Sequence, residues 1–416
     1  MKFKLSFAVA FLSMSALADV SVENVVIKQN WPWSSKVFIG YDLVSDDASA
    51  KYTVDVKVED SSGELTIFSR SFSGDLDNQV AGTGKRIVWN PAESGYGAGL
   101  AAVGLRFTVT ARPVVGPEYI VVDLSNGQSA ASYGVSTLDS HTGGWAQDPY
   151  KQTSLVLKRV RAGTFQMGSP DDEGGRKDNE QLHTVILTND FYLGVFPLTR
   201  QQALQITNIN VGAYNTYPML GASWDQICGA GYGNTDNSTE VAGGSILGLL
   251  NARTAGNASL PAGYVFALPS EAQWEYACRA GTTTAWNNGT DYSVYTDANN
   301  KTRDDNLTLL GWYWAVNTIN SATAVGKFGA NAWGFYDFHG NCWELTFDGM
   351  VGDGNRALGS ETVVEPRYKG NTGYRICRGG CWQSNPADCR SARRNYLSRS
   401  QADSKFGARI ALIRAN

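Results

Sequence analysis

The sequence predicts two folds in tandem, an all-β sandwich followed by a larger mixed α+β domain with little regular secondary structure. Three observations lead there. Apolar and polar residues alternate with period two between Asp19 and Arg112, which on a strand turns one face to a core and the other to water. Beyond about Lys151 the pattern changes to short helix-start signals set among loops. The 416 residues include 45 glycines and 12 tryptophans, a composition suited to many tight turns pinned by large buried rings. With 43% hydrophobic and only 18% charged residues the chain has ample material for a packed core, and disorder is excluded on composition.

Residues 1–18 read as a secretory signal peptide. Lys2 and Lys4 precede an apolar run from Phe7 to Leu12, and the small-residue site Ala16-Leu17-Ala18 comes before Asp19, the order of regions such peptides have. The run is too short to span a bilayer. Export to the periplasm or the extracellular space is the expectation, and removal of the two lysines takes the net charge from -4 to -6. That balance leaves no basic excess for nucleic acid.

Residues 19–112 carry the sandwich, of immunoglobulin-like type. Tyr52, Val54, Val56 and Val58 alternate with polar neighbours, as do Val103, Leu105, Phe107, Val109 and Ala111. Further strands are expected at Val22 to Lys28, Lys36 to Leu43, Leu65 to Phe72 and Arg86 to Trp89, with turn formers between them. Without Cys or His, this module reads as a spacer or docking element. Residues 113–154 read as linker and lead-in, because Pro113 and Pro117 deny the chain both helix and central strand. In residues 155–416 the clearest local signals are capping boxes at Ser270/Gln273 and Thr199/Gln202. Trp274, Ala277 and Cys278 follow the first box on one helical face, with Gly281 as its left-handed stop.

The six cysteines, Cys228, Cys278, Cys342, Cys377, Cys381 and Cys389, all lie in the C-terminal part. An even count in an oxidising compartment predicts at least one disulfide, with the pairing open. His141, His183 and His339 are scattered and no CxxC pair exists, so zinc is not expected.

Five motifs occur in order: Phe165-Gln-Met-Gly-Ser169, Leu268-Pro-Ser-Glu-Ala-Gln-Trp-Glu-Tyr-Ala-Cys-Arg-Ala-Gly281, Asn331-Ala-Trp-Gly-Phe-Tyr-Asp-Phe-His-Gly-Asn-Cys-Trp-Glu344, Arg378-Gly-Gly-Cys-Trp382 and Cys389-Arg-Ser-Ala-Arg393. Together they resemble the formylglycine-generating enzyme, or sulfatase-modifying factor, family over about residues 155 to 414. The resemblance implies a fold related in outline to C-type lectins. In the active enzymes two thiolates hold the copper(I) with which a sulfatase cysteine is oxidised to an aldehyde, because a soft ion takes soft sulfur ligands. Carried over, the second sulfur falls on Cys389 and the first on Ser384, whose hydroxyl is a hard ligand. Cys381 stands where the family has a serine; a chain doubling back through Asn385-Pro386 would bring Cys381 to Cys389 as a displaced copper or redox pair. A structural disulfide, or buried thiols, is the other reading, and Cys389 is the nearest partner by motif position for a bridge from Cys278.

The resemblance also implies a calcium site: the carboxylates of Asp337 and Glu344 with the carbonyls of Gly340 and Cys342, a hard oxygen set suited to Ca2+ at about 2.3 to 2.6 Å. Against it stands a plainer reading in which Asp337 caps a turn, Glu344 pairs with an arginine and Trp343 fills the core. Asp171, Asp172, Glu173, Asp178 and Glu180 read as a solvated loop, and Arg390, Arg393, Arg394 and Arg399 as braces to buried carboxylates. The functional expectation is an exported, calcium-stabilised module that binds a protein or glycan without oxidase chemistry. The alternative is a formylglycine-generating oxidase working through Cys381 and Cys389.

Overall fold

The computed structural model describes residues 20–96, 100–114, 116–145, 147–209, 215–229, 243–350, 361–368 and 373–415. The expected signal peptide lies outside the described residues. The chain divides into two compact units, Met1–Gly116 and Pro117–Asn416.

In the first unit, strands Val20–Gln29, Val37–Ser45, Gly82–Trp89 and Phe72–Gly74 form one antiparallel sheet in that spatial order, and Gly63–Glu64, Tyr52–Asp60 and Arg106–Pro113 form a second. Alternation does the sorting: Val37, Ile39, Tyr41 and Leu43 are buried while their neighbours are at most half-buried, and they pack with Tyr52, Val54, Val58, Ile87, Trp89 and Phe107. Two expected strands are shorter than their patterns. Residues 65–72 form a strand only from Phe72, after a 3-10 turn at Ser69–Ser71. The last strand starts at Arg106, which leaves Val103 on a turn, 77% exposed.

The second unit is mostly β with six short helices among the described residues. Its largest sheet runs Tyr264–Ala267, Ala411–Arg414, Phe191–Gly194, Ser154–Val160, Tyr119–Asp123 and Gly134–Leu138, antiparallel throughout. The lead-in at 119–138 is therefore part of this sheet and not a connector; the Tyr119 strand alternates only weakly, being apolar at most positions, which conceals it from a period-two reading. A four-stranded sheet orders Arg394–Ser398, Tyr374–Arg378, Trp343–Gly349 and Phe406–Ala408, and a third pairs Gly163–Met167, His183–Leu187 and Val363–Val364. Among the described residues no helix is long and apolar enough to cross a membrane.

Both expected capping boxes form, at Thr199/Gln202 and Ser270/Gln273, and a third forms at Ser223/Gln226. The helix Glu271–Arg279 is buried along its whole length, polar residues included, and not only on the face of Trp274, Ala277 and Cys278. Its left-handed cap begins one residue early, at Ala280 with φ 46°, and Gly281 follows at φ 93°.

Candidate functional site

The strand Tyr374–Arg378 delivers the chain into Gly379-Gly380, both at positive φ (94° and 76°). A Cβ on Gly379 would lie 2.9 Å from the Phe338 carbonyl, and one on Gly380 2.6 Å from the Cys389 sulfur, so only glycine fits this close approach. Cys381-Trp-Gln-Ser384 then closes a turn. The Ser384 amide donates to the Cys381 carbonyl at 2.9 Å, and the Ser384 hydroxyl accepts from the Cys381 amide at 3.0 Å while lying 3.4 Å from the Cys381 sulfur. The Trp314 amide donates to the Ser384 carbonyl at 3.1 Å. Cys389 ends the 3-10 turn Pro386–Cys389 and packs among Ala285, Trp286, Leu307, Tyr313 and Ala315, whereas Cys381 belongs to the larger core that holds Trp312, Trp343 and Trp382.

These surroundings do not suit a copper(I) pair, which needs thiolates. Burial pushes the Cys389 thiol well above its ordinary value, and no cation acts against that rise. Cys381 is pushed up too, first by burial, against the opposing Ser384 hydroxyl, Gln383 amide and Lys405 ammonium. Both thiols are held in their protonated form, so the residues present do not fit copper(I).

The disulfide expectation is overturned: all six cysteines are free and buried. Cys389 and Cys381 are neighbours across Gly380, close enough for the charge of one to act on the other, yet they are not bonded. Cys278 faces Ser391, with its sulfur 3.7 Å from that hydroxyl, and not Cys389, while Cys228, Cys342 and Cys377 are enclosed in the main core.

The turn from Asp337 to Glu344 gathers a different set of partners. Asp337, at φ 60°, accepts the Gly326 amide at 2.6 Å, so it does cap a turn. The Gly340 amide donates to the Gly379 carbonyl at 2.7 Å, and the Gly340 carbonyl accepts the Cys342 amide at 2.8 Å. Glu344 is bracketed by Arg409: Nη2 donates to Oε1 at 2.7 Å and Nε to Oε2 at 3.0 Å, with the Trp274 indole donating to Oε2 at 2.7 Å. The rest of the guanidinium is used up as well, Nη1 on the carbonyls of Gly194 (2.9 Å) and Val195 (3.0 Å), and Nη2 also on that of Tyr336 (2.6 Å). Arg409 thus occupies the role a cation has, collecting a carboxylate and three carbonyls. Lys151, itself buried, is a second positive group acting on Asp337. With Glu344 already satisfied, the expected donor set does not fit calcium as it stands; sequence reasoning missed Arg409 because nothing local ties it to Glu344.

More buried ion pairs brace the neighbouring helix. Glu275 accepts from the Gly168 amide (2.9 Å), from Arg279 (2.8 Å) and from Arg378, and Arg394 forks onto both oxygens of Glu271 at 2.7 and 2.9 Å. Arg390 holds Glu180 at 2.8 Å on both oxygens, together with Glu173. The solvated-loop reading of that acidic run therefore fails for Glu173 and Glu180, while Asp171 is 98% exposed at its side chain. Arg393 and Arg399 pair with Asp388 and Asp225, so these arginines serve as braces. His339 is neutral in function: burial lowers its pKa to about 4, its Nδ1 lies 2.7 Å from the Cys389 carbonyl, and Nε2 accepts the Asn287 amide.

Burial raises the Asp337 carboxyl to about 6, despite the Gly326 amide and the cations. A raised acid favours folding below its unfolded value near 3.8 and loses that contribution as pH rises through 6. Asp337→Asn keeps the acceptor for Gly326 and tolerates the left-handed backbone. The variant is expected to be more stable than the parent above pH 6, by up to about 3 kcal/mol, with the difference vanishing below about pH 4. Thermal melts of both proteins from pH 4 to 8 check this; a variant that melts lower at pH 8 would show that the carboxylate has a bound cation to lose.

Fold and site together define a mostly β domain closed around buried arginine–carboxylate pairs, with a glycine-enforced turn at its centre. The family model described as "Sulfatase-modifying factor enzyme 1-like domain" matches residues 146–413, and the chain belongs to that family. It is similar to the serine/threonine-protein kinase pkn1 of Chlamydia caviae, 25% identical over 260 residues that make up 62% of this chain and 38% of that protein. It is also similar to the formylglycine-generating enzyme of Mycobacterium tuberculosis, 41% identical over 86 residues (19% and 26% of the two chains), and to that of Bos taurus, 27% identical over 150 residues (35% and 38%). The chain spans less than two-fifths of the length of these curated relatives. Among solved structures, PvdO from Pseudomonas aeruginosa matches with a TM-score of 0.47 and 22% identity, over 62% of this chain and 94% of that one. Treponema denticola variable protein 1 gives 0.46 and 21%, over 62% and 95%.

Proposed function

We propose that this protein is an exported binding module that has kept the family scaffold without copper-dependent formylglycine generation. The observation that carries the reading is the Cys381–Ser384 turn: the hydroxyl that stands in the first sulfur's place is engaged with Cys381, and Cys389 is sealed in an apolar cluster with no cation to favour its thiolate. The scaffold's rigidity comes from its own cations, Arg409 above all, and not from calcium. Relatives named as kinases and relatives named as formylglycine-generating enzymes share the domain, so membership alone fixes no reaction. The lectin-like character implied by the motifs makes a protein or glycan the partner class for the second unit.

The test is incubation of the purified protein with Cu(I), oxygen and a Cys-x-Pro-x-Arg peptide. No aldehyde is expected beyond the level given by a Cys389→Ala variant. Aldehyde that appears with the parent and disappears with Cys389→Ala would establish the oxidase in its place.

A further inference from the structure

In the first unit, the turn joining Val20–Gln29 to Val37–Ser45 carries Trp31 and Trp33, 40% and 83% exposed. A second turn, just ahead of Arg106–Pro113, carries Val103 at 77% exposure. Gln29 ties the two turns to one end of the unit: its amide nitrogen donates to the carbonyls of Ser35 and Leu100, both at 2.9 Å, and its oxygen accepts the Ala102 amide at 2.6 Å. No residue from Gln29 to Ser35, and none from Ser94 to Leu105, is charged. Immediately outside stand Lys28 and Lys36, both exposed and, among the described residues, paired with no acid, then Arg106, which pairs with Glu59.

We propose that this end of the first unit docks on an anionic lipid surface, with Trp31, Trp33 and Val103 entering the headgroup region and Lys28 and Lys36 facing the phosphates. Indole rings are amphipathic and settle at the membrane–water interface, and basic side chains beside an inserted apolar patch add attraction to anionic headgroups. The Gln29 amide has both its N–H groups engaged within the unit and donates nothing outward. The overall charge of -4 makes the local lysine pair the source of any attraction, so binding is salt-sensitive.

The experiment is co-sedimentation of the full chain with phosphatidylcholine vesicles containing none or a third of phosphatidylglycerol, in low and high salt. Binding is expected on the anionic vesicles at low salt. Trp31→Ser with Trp33→Ser is expected to reduce it by roughly tenfold or more, and Lys28→Gln with Lys36→Gln by about fivefold per lysine; Trp33→Ser alone, at a side chain 83% exposed, is expected to weaken binding with the melting temperature unchanged. Absence of vesicle binding by the parent, or binding that the tryptophan pair does not alter, overturns the proposal. So does retention on immobilised oligosaccharide, without vesicle binding, that the same tryptophan substitutions abolish.

Discussion

Arg409→Ala is expected to destabilise the second unit by about 3–5 kcal/mol, the penalty for leaving one member of a buried pair without its partner. Arg409 is fully buried and its five N–H groups meet Glu344 and the carbonyls of Gly194, Val195 and Tyr336. Truncation leaves a carboxylate in the core held by the Trp274 indole and three carbonyls that water cannot easily reach. Arg409→Lys is expected to recover little, because an ammonium has three donors and no planar fork to span the carboxylate and the carbonyls together. Glu344→Gln alone leaves the guanidinium uncompensated, whereas Arg409→Ala combined with Glu344→Gln is expected to cost less than the sum of the single changes. Denaturant unfolding of the four variants measures these costs. Chelator is the companion measurement: the parent's melting temperature is expected to stay fixed, and a drop would show that a divalent ion, not Arg409, carries the turn.

What could be read from the sequence was what the chain decides locally. The boxes at Ser270/Gln273 and Thr199/Gln202 involve residues three apart, and both form; Ser223/Gln226 carries the same local signal and forms a third. Period two marks Val37 to Leu43 because one face is buried and the other is not. The pattern misleads at Val103 and Leu105, since a turn can carry the same alternation and only the pairing of Arg106 with Glu59 sets where the strand starts. The order of motifs identified the family, yet it was silent on Arg409, which lies 65 positions from Glu344. Cysteine number and compartment argue for disulfides, but a bridge depends on where sulfurs meet, and even the neighbours Cys381 and Cys389 stay free. The acidic run at 171–180 fails for a related reason: composition does not say which carboxylate an arginine more than 200 residues away will reach.

That distant arginine supplies the second large effect. Arg390→Ala is expected to cost about 3–5 kcal/mol and to loosen the segment between Pro170 and Gln181 before the rest of the unit unfolds. Arg390 fastens this segment at Glu173, at the Gly175 carbonyl (2.7 Å) and at both oxygens of Glu180, with its Nε on the Ala387 carbonyl (3.1 Å). Without the guanidinium, Ser169 is the side chain still bonded to Glu180, at 3.0 Å, and hydration of the two released carboxylates favours opening. Trypsin reads that opening at Arg176, half-buried in the parent, and at its exposed neighbour Lys177: cleavage there is expected to accelerate in Arg390→Ala and to slow again when Glu180→Gln removes the buried charge. Asp171→Ala supplies the contrast. Its ion pair with Arg176 spans 3.0 Å, but the Asp171 side chain is 98% exposed, and pairs of that kind contribute about 0–1 kcal/mol. A proteolysis rate at Lys177 that rises equally in both variants would place the segment's restraint at its exposed end and remove Arg390 from its role; a rise confined to Arg390→Ala would show that one internal guanidinium orders an otherwise polar loop.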